Sequence, residues 1–263
     1  MREQLAHVTF RGVIRERSVE PYLRVLRALR DRRRVKGVLL DISSGGGESI
    51  ASTDFYLAVK RLDAAKPVVA SIGSAGASGA YMAALGARRV YAYPDSIVGS
   101  IGVIHPHVAV RDLMRRIGVE VDLVHAGEHK DAYQGYRPLT GEERTKLQAV
   151  TQDTYEGFVA LVARERKRPV EEIRPLATGE FWSGTRSLQL GLVDALGDRT
   201  AALEELSRMT GVPVGKTVRF APPRSFVERF FSGGASAFAD AVAVRVHDSV
   251  EESLFDWGGG LLR

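Results

Sequence analysis

The chain of 263 residues has no cysteine, which excludes disulfides and thiolate metal sites and leaves no redox compartment to be read. No apolar run approaches the ~18–20 residues that cross a bilayer. The opening Met-Arg-Glu-Gln-Leu-Ala-His-Val has no apolar signal-peptide segment. The expectation is therefore a soluble, cytoplasmic chain. Aromatic residues make up only 8% and none interleaves with the arginines at 24, 27, 30 and 32–34. A single-strand nucleic-acid binder needs such aromatics as stacking platforms. The net charge of +5 is thus read as a solvated, arginine-rich helix face, with no nucleic-acid partner expected.

What is present is an alternation of strand and helix signals. Val8–Ile14, Val35–Ile42, Val68–Ile72, Arg89–Ala92 and Val119–Val124 read as strands. Helical patterns start near Ser18, run from about Ser49 to Leu62, begin again at Ser78, and cover Val110–Ile117. Thr140, with Glu143 three residues on, has the form of a capping box opening a helix to about Arg166. Two more helices are expected over Ser183–Leu190 and Arg199–Thr210. Such alternation predicts an α/β layer with parallel strands. The expected division is a domain over 1–210 and an arm over 211–263, broken by Pro222-Pro223 and rich in Phe and Val. That arm is expected to be helical, packed on its own domain or facing a neighbouring subunit or a membrane surface.

The residues closest to chemistry lie in Gly73-Ser-Ala-Gly-Ala-Ser-Gly-Ala-Tyr-Met-Ala-Ala-Leu-Gly86. Ser78 falls between small residues where a strand turns into a helix. Small neighbours let a second backbone approach the hydroxyl, and a helix start supplies free N–H groups for a developing oxyanion. The same composition also serves plain helix–strand packing. The Gly45–Gly47 turn could supply further N–H groups, or could be a turn that simply requires glycine. Ser100, in Gly99-Ser-Ile-Gly-Val103, is a hydroxyl in another tight turn.

A serine needs a base. None of the six histidines stands in a recognisable triad context, and His105-Pro-His107 reads as a loop rather than a metal site. Lysine is the alternative. It accepts a proton only when neutral, which takes a fall from ~10.4 to about 7–8 by loss of solvent. Lys130 lies just past an expected strand end, where site residues collect in α/β folds. Lys60, Lys66 and Lys146 sit on helix faces or surface turns.

Five segments, in order, resemble the S49 family of serine peptidases, the signal peptide peptidase A (protease IV) group. Ser43-Ser-Gly-Gly-Gly47 resembles the family's Asn-Ser-Pro-Gly-Gly, and Ala77-Ser-Gly-Ala-Tyr81 its Ala-Ser-Gly-Gly-Tyr. Gly99-Ser-Ile-Gly-Val-Ile104 matches a third motif. His129-Lys-Asp131 with Arg137-Pro-Leu-Thr-Gly-Glu-Glu-Arg144 resembles Tyr-Lys-Asp and Arg-Pro-Met-Thr-Glu-Glu-Glu-Arg. Phe181-Trp-Ser-Gly-Thr-Arg-Ser-Leu-Gln-Leu-Gly-Leu-Val-Asp194 resembles the fifth.

The resemblance implies a Clp protease/crotonase-like α/β spiral. It implies Ser78 as nucleophile, Lys130 as general base, and Ser100 as the hydroxyl that orients Lys130. It also implies an oxyanion hole from the N–H of Gly79 with that of Gly46 or Gly45. No cofactor or metal is implied. Substrates would be signal peptides or other unfolded apolar peptides, cleaved inside a ring of identical subunits, an octamer by resemblance, with the dyad completed between neighbours. The membrane anchor of many members has no counterpart here, which favours a cytoplasmic or peripheral-membrane peptidase. A crotonase-type acyl-CoA enzyme and a non-catalytic scaffold of the same fold are the competing readings. The first lacks paired active-site glutamates, and the second leaves the dyad unexplained.

Overall fold

The alternation of side chains along three long strands decides how the chain is layered. The computed structural model describes residues 3–222. In chain order it contains β1 (Gln4–Arg11), α1 (Glu16–Asp31), β2 (Val35–Ser44), α2 (Ser49–Ala65), β3 (Val68–Ala77), α3 (Gly79–Ala84), β4 (Arg89–Ala92) and β5 (Ile97–Gly99). There follow α4 (Arg111–Arg116), α5 (Gly141–Arg166), α6 (Val170–Ile173), β6 (Phe181–Ser183), α7 (Gly184–Gln189), β7 (Ala195–Leu196), α8 (Arg199–Thr210) and β8 (Thr217–Phe220).

The sheet runs β6-β5-β3-β2-β1-β8, with β4 beside β3 and β7 beside β4. Neighbours are parallel except β5 and β6, which run antiparallel. Parallel neighbours need long crossovers, supplied between β1, β2 and β3 by α1 and α2. β3 serves two neighbours in turn: Val69–Ile72 pairs with β4, and Ala75–Ala77 pairs with β5. After a register shift its second half still pairs with β2, Gly76 against Ser44, and carries the chain to Ser78.

Because neighbouring strand residues face opposite ways, both faces are buried. Phe10, Leu40, Ile42, Ala70 and Ile72 meet Leu26, Phe55 and Val59 from α1 and α2 on one face. Leu5, Leu39, Val69 and Tyr91 meet Ala202 and Leu206 of α8 on the other. The second face also holds a charge. Asp41 is almost fully buried, accepts two hydrogen bonds at 2.9 Å from Arg11, and lies 2.9 Å from Arg199 Nε and 3.4 Å from His7 Nε2. Burial alone would raise its pKa. The hydrogen bonds from His7 and Arg11 and the charges of Arg11 and Arg199 outweigh that and hold it below the usual carboxylate value.

Two expectations change. Val119–Val124, expected as a strand, is in none of the described strands. Its residues alternate apolar and acidic, yet all are exposed, so no neighbour in the described chain satisfies that pattern. The chain also stays with the sheet beyond residue 210, because β8 pairs with β1. The helical arm expected over 211–263 otherwise lies outside the described residues.

Replacing Asp41 by Asn should strand two arginines at the edge of the second core. Breaking a buried pair costs about 3–5 kcal/mol. Arg11 and Arg199 keep roughly half their exposure, so a loss of about 2 kcal/mol in urea unfolding at pH 7 is expected. The folded pKa of Asp41 is depressed, so its contribution is complete above the unfolded value of 3.8 and is lost as pH falls through the lower folded value. The gap between wild type and D41N should therefore start to narrow below about pH 4 and close only once the pH is under the lower folded value, and a gap that does not narrow at all as the pH falls would refute the assignment.

Candidate active site

Ser78 follows the last residue of β3 and caps α3, with φ 51° and ψ −125°. A non-glycine residue in such a region carries about 1–3 kcal/mol of backbone strain. Among the described residues only Ser78, Ser100, Tyr133 and Lys167 combine a side chain with positive φ. Two of the four are the serines singled out by the sequence. They are also neighbours by register: Ala77 is the strand partner of Gly99, and each serine follows one of these. Strong backbone bonds hold both turns, from Ser78 N–H to the Gly99 carbonyl and from Ser100 N–H to the Glu180 carbonyl, each 2.7 Å.

The turn after β2 closes over this point. Gly46 has φ +98°, and a Cβ on it would lie 2.8 Å from both the Gly79 nitrogen and Ser78 Cβ. Only a glycine allows that approach. The turn is locked from below by Ile14, whose N–H donates to the Gly46 carbonyl and whose carbonyl accepts from Glu48 N–H, both at 2.9 Å. The Gly46 N–H itself donates to Ser44 Oγ at 3.1 Å. Gly79 opens a helix, so its N–H is among the first four with no acceptor inside that helix. The structure thus brings Ser78, Gly79, Gly46 and the Ser100 turn together. Ser52, one turn into α2, was not foreseen: its side chain occupies the space where a Cβ on Gly79 would go. Nothing in the residue pattern marks it, because the contact joins two helices from different crossovers.

The described histidines are engaged away from Ser78. His7 meets Asp41 and Thr9, His105 meets Thr151, His107 meets the Arg137 carbonyl, His125 meets the Gly127 carbonyl, and His129 meets Lys146. Of the alternative lysines, Lys60 pairs with Glu165, Lys66 donates to the carbonyls of Leu29 and Arg32, and Lys146 pairs with Glu142. Lys130 stands on an exposed turn, its N–H bonded to the Gly127 carbonyl at 3.0 Å, and it lines a hollow with Leu123, Val124, Asp131 and Tyr136. Among the described residues it makes no hydrogen bond to Ser78 or Ser100. The single chain therefore assembles the serine half of the expected site and leaves the lysine on an outlying segment.

Known proteins share this architecture. Residues 60–213 match the model of peptidase family S49. A Methanocaldococcus jannaschii protein provisionally named a protease is 37% identical over 76% of this chain, which spans 64% of that protein. The chloroplastic serine protease SPPA of Arabidopsis thaliana is 29% identical over 79% of this chain, which spans 30% of it. Among solved structures, a ClpP1 mutant from Listeria monocytogenes aligns over 74% of this chain and 93% of its own, with a TM-score of 0.52 and 14% identity. A mutant of the membrane-bound stomatin-specific protease 1510-N aligns over 85% of this chain and 100% of its own, at TM-score 0.53 and 14% identity. At that identity the two structures establish the fold alone, and it is the Clp-like one.

The Gly79–Ser52 contact makes a specific prediction. Gly79→Ala should drive its methyl into Ser52, displace the serine turn and lower any Ser78-dependent activity about 10²-fold, the scale of a 1 Å misplacement. The second change Ser52→Gly clears that space and should restore most of the activity and the melting temperature. A double variant as poor as G79A alone would show that the contact is not what matters.

Proposed function

The chain belongs to peptidase family S49, and from that premise we propose that it is a serine endopeptidase working through a Ser78/Lys130 dyad. The observation that carries this reading is the placement of Ser78. It is a strained serine at a strand-to-helix turn, pressed against a glycine turn on one side and register-matched with Ser100 on the other. Strain of this kind presents a nucleophile clear of its own strand.

In the proposed reaction Ser78 Oγ attacks the peptide carbonyl carbon while neutral Lys130 Nζ takes the hydroxyl proton. The oxyanion is received by the N–H of Gly79 and by the Gly45–Gly46 turn. On substrate binding the Gly46 N–H would exchange its bond to Ser44 Oγ for the oxyanion. The lysine then gives its proton to the leaving amine, and water hydrolyses the acyl-serine by the same steps in reverse order. Ser100 accepts from or donates to the lysine and fixes its direction. Unfolded apolar peptides, signal peptides among them, suit such a site because an extended chain can pair along a strand edge.

In this reading the lysine comes from a second copy. The segment carrying it leaves the core at Ile104 and exposes Ile104, Val108, Leu113, Ile117, Val119, Val121, Leu123 and Val124, the last at 95%. Apolar exposure on that scale marks an association surface. A ring of copies, each lending its segment to the next, would cover it and carry Lys130 to the neighbour's Ser78. The octamer is the size that the family resemblance favours. No helix among the described residues is long and apolar enough to cross a membrane.

Ser78→Ala should lower hydrolysis of a denatured protein by at least ~10³-fold and Lys130→Ala by ~10²–10⁴-fold. Co-assembled from both variants, the oligomer should regain part of the activity, since some interfaces then pair an intact Ser78 with an intact Lys130. No regain in verified mixed oligomers would rule out a shared site. Val124→Asp should shift the assembly to smaller species in analytical ultracentrifugation and remove activity with it.

A further inference from the structure

The segment Arg137-Pro-Leu-Thr-Gly-Glu-Glu-Arg144 has no part in the chemistry proposed above, yet it holds the densest ionic network near Lys130. Arg137 donates to both oxygens of Glu143, at 2.6 and 2.8 Å, and through Nε to Asp131 Oδ2 at 3.0 Å. Its Nη2 is also 2.9 Å from that oxygen, and Tyr136 donates to it at 3.2 Å. The network is largely shielded: Asp131, Arg137 and Glu143 side chains are 17%, 23% and 5% exposed.

Glu143 is in turn fixed to the helix start. Its carboxylate accepts from Thr140 N–H at 2.8 Å and its N–H donates to Thr140 Oγ1 at 3.2 Å, completing the capping box. The far part of α5 is anchored in the core through Phe158, Val159, Val162 and Ala163. On the other side of Lys130, His129 meets Lys146 and, at 3.8 Å, Glu142. Those groups are exposed, and exposed pairs of this kind hold little. The shielded tether is the one through Asp131.

We propose that Arg137 is a positioning residue for catalysis: it clamps Asp131 to Glu143 and thereby fixes the backbone of Lys130 relative to the core-anchored helix α5. The inference rests on Lys130 being the general base. A lysine has a long, flexible stem, so the placement of its Cα limits where its amine can be delivered. The clamp keeps its charges over the working range. Hydrogen bonding from Arg137 holds Asp131 below the ordinary carboxylate value and, with the Thr140 bonds, brings Glu143 down to about 2.

The test is steady-state hydrolysis of one peptide by the assembled full chain carrying Asp131→Asn, Arg137→Ala, Arg137→Lys, both Asp131→Asn and Arg137→Ala, or Lys130→Ala. Asn keeps the shape of Asp131, so D131N should fold and assemble even if R137A does not. Expected is a fall in kcat of about 10- to 100-fold in D131N and R137A with KM within about twofold. The double variant should be no worse than the poorer single one, because both break the same tether. R137K should recover little, since one ammonium cannot bridge two carboxylates as a fork does. The acid limb of the kcat/KM profile should move in D131N and be missing in K130A. Wild-type kcat and an unmoved limb in an assembled D131N enzyme, alongside an inactive K130A, would overturn the clamp. Full activity in K130A would instead overturn the base assignment and leave the clamp without a role in catalysis.

Discussion

The absence of a side chain at Gly46 is the constraint on which the rest of the site depends. A parallel β1–β2–β3 arrangement brings the ends of β2 and β3 to the same edge, so the turns leaving them must share one space. They can do so only if one turn has no Cβ, and 2.8 Å from a Cβ to the Gly79 nitrogen and Ser78 Cβ leaves no room for one. The glycine lets the Gly45–Gly47 turn lie against the serine. The bonds of Ile14 to that turn and of Ser78 to Gly99 then hold both backbones in the contact. Strain at Ser78 is stored because neighbouring strands and turns determine its position more strongly than its own φ preference does. The same logic holds for Gly79 and Ser52 one layer deeper.

The long elements were legible because their burial is visible in the residues. Val35–Ile42 reads as a strand buried on both faces, and Thr140 with Glu143 reads as a capping box that the structure forms. The short strands β5 to β8 span two to four residues, too few to show a period, and they exist because a neighbouring strand is already in place. Asp41 sits inside an apolar run whose charge is matched by Arg11, Arg199 and His7, residues brought to it only by the sheet and by α8. At the site, Ser78 and Ser100 were legible as small hydroxyl residues in glycine turns. Their common register was not, since it follows from the pairing of β3 with β5.

Val119–Val124 shows the opposite case, a true pattern without its partner. Val119, Val121 and Leu123 alternate with Glu120 and Asp122 as on a half-buried strand, and all five are exposed in the single chain. A period-2 stripe has meaning only against a second surface. Together with Ile104 and Val124, it makes this segment the part of the described chain least accounted for by its own fold. The ring proposed for the family resemblance is one arrangement that would complete the stripe and the active site at once.

That coupling bears on how a lysine could serve as base at all. A lysine is neutral near pH 7 only when water is taken from it, and residues 121–130 are exposed throughout in one chain. The groups that could remove water are the apolar side chains around Lys130, Leu123 and Val124 among them, and a single copy leaves them facing solvent. Covering them by a neighbour would desolvate the amine in the same event that brings it to Ser78. The isolated chain would then hold a nucleophile without a competent base, and proteolysis would begin only on assembly. The ionic clamp at the root of the segment fits this division of labour. It uses charges that are already satisfied within one chain, so it can fix the lysine backbone before any partner arrives and leave the apolar tip to respond to one.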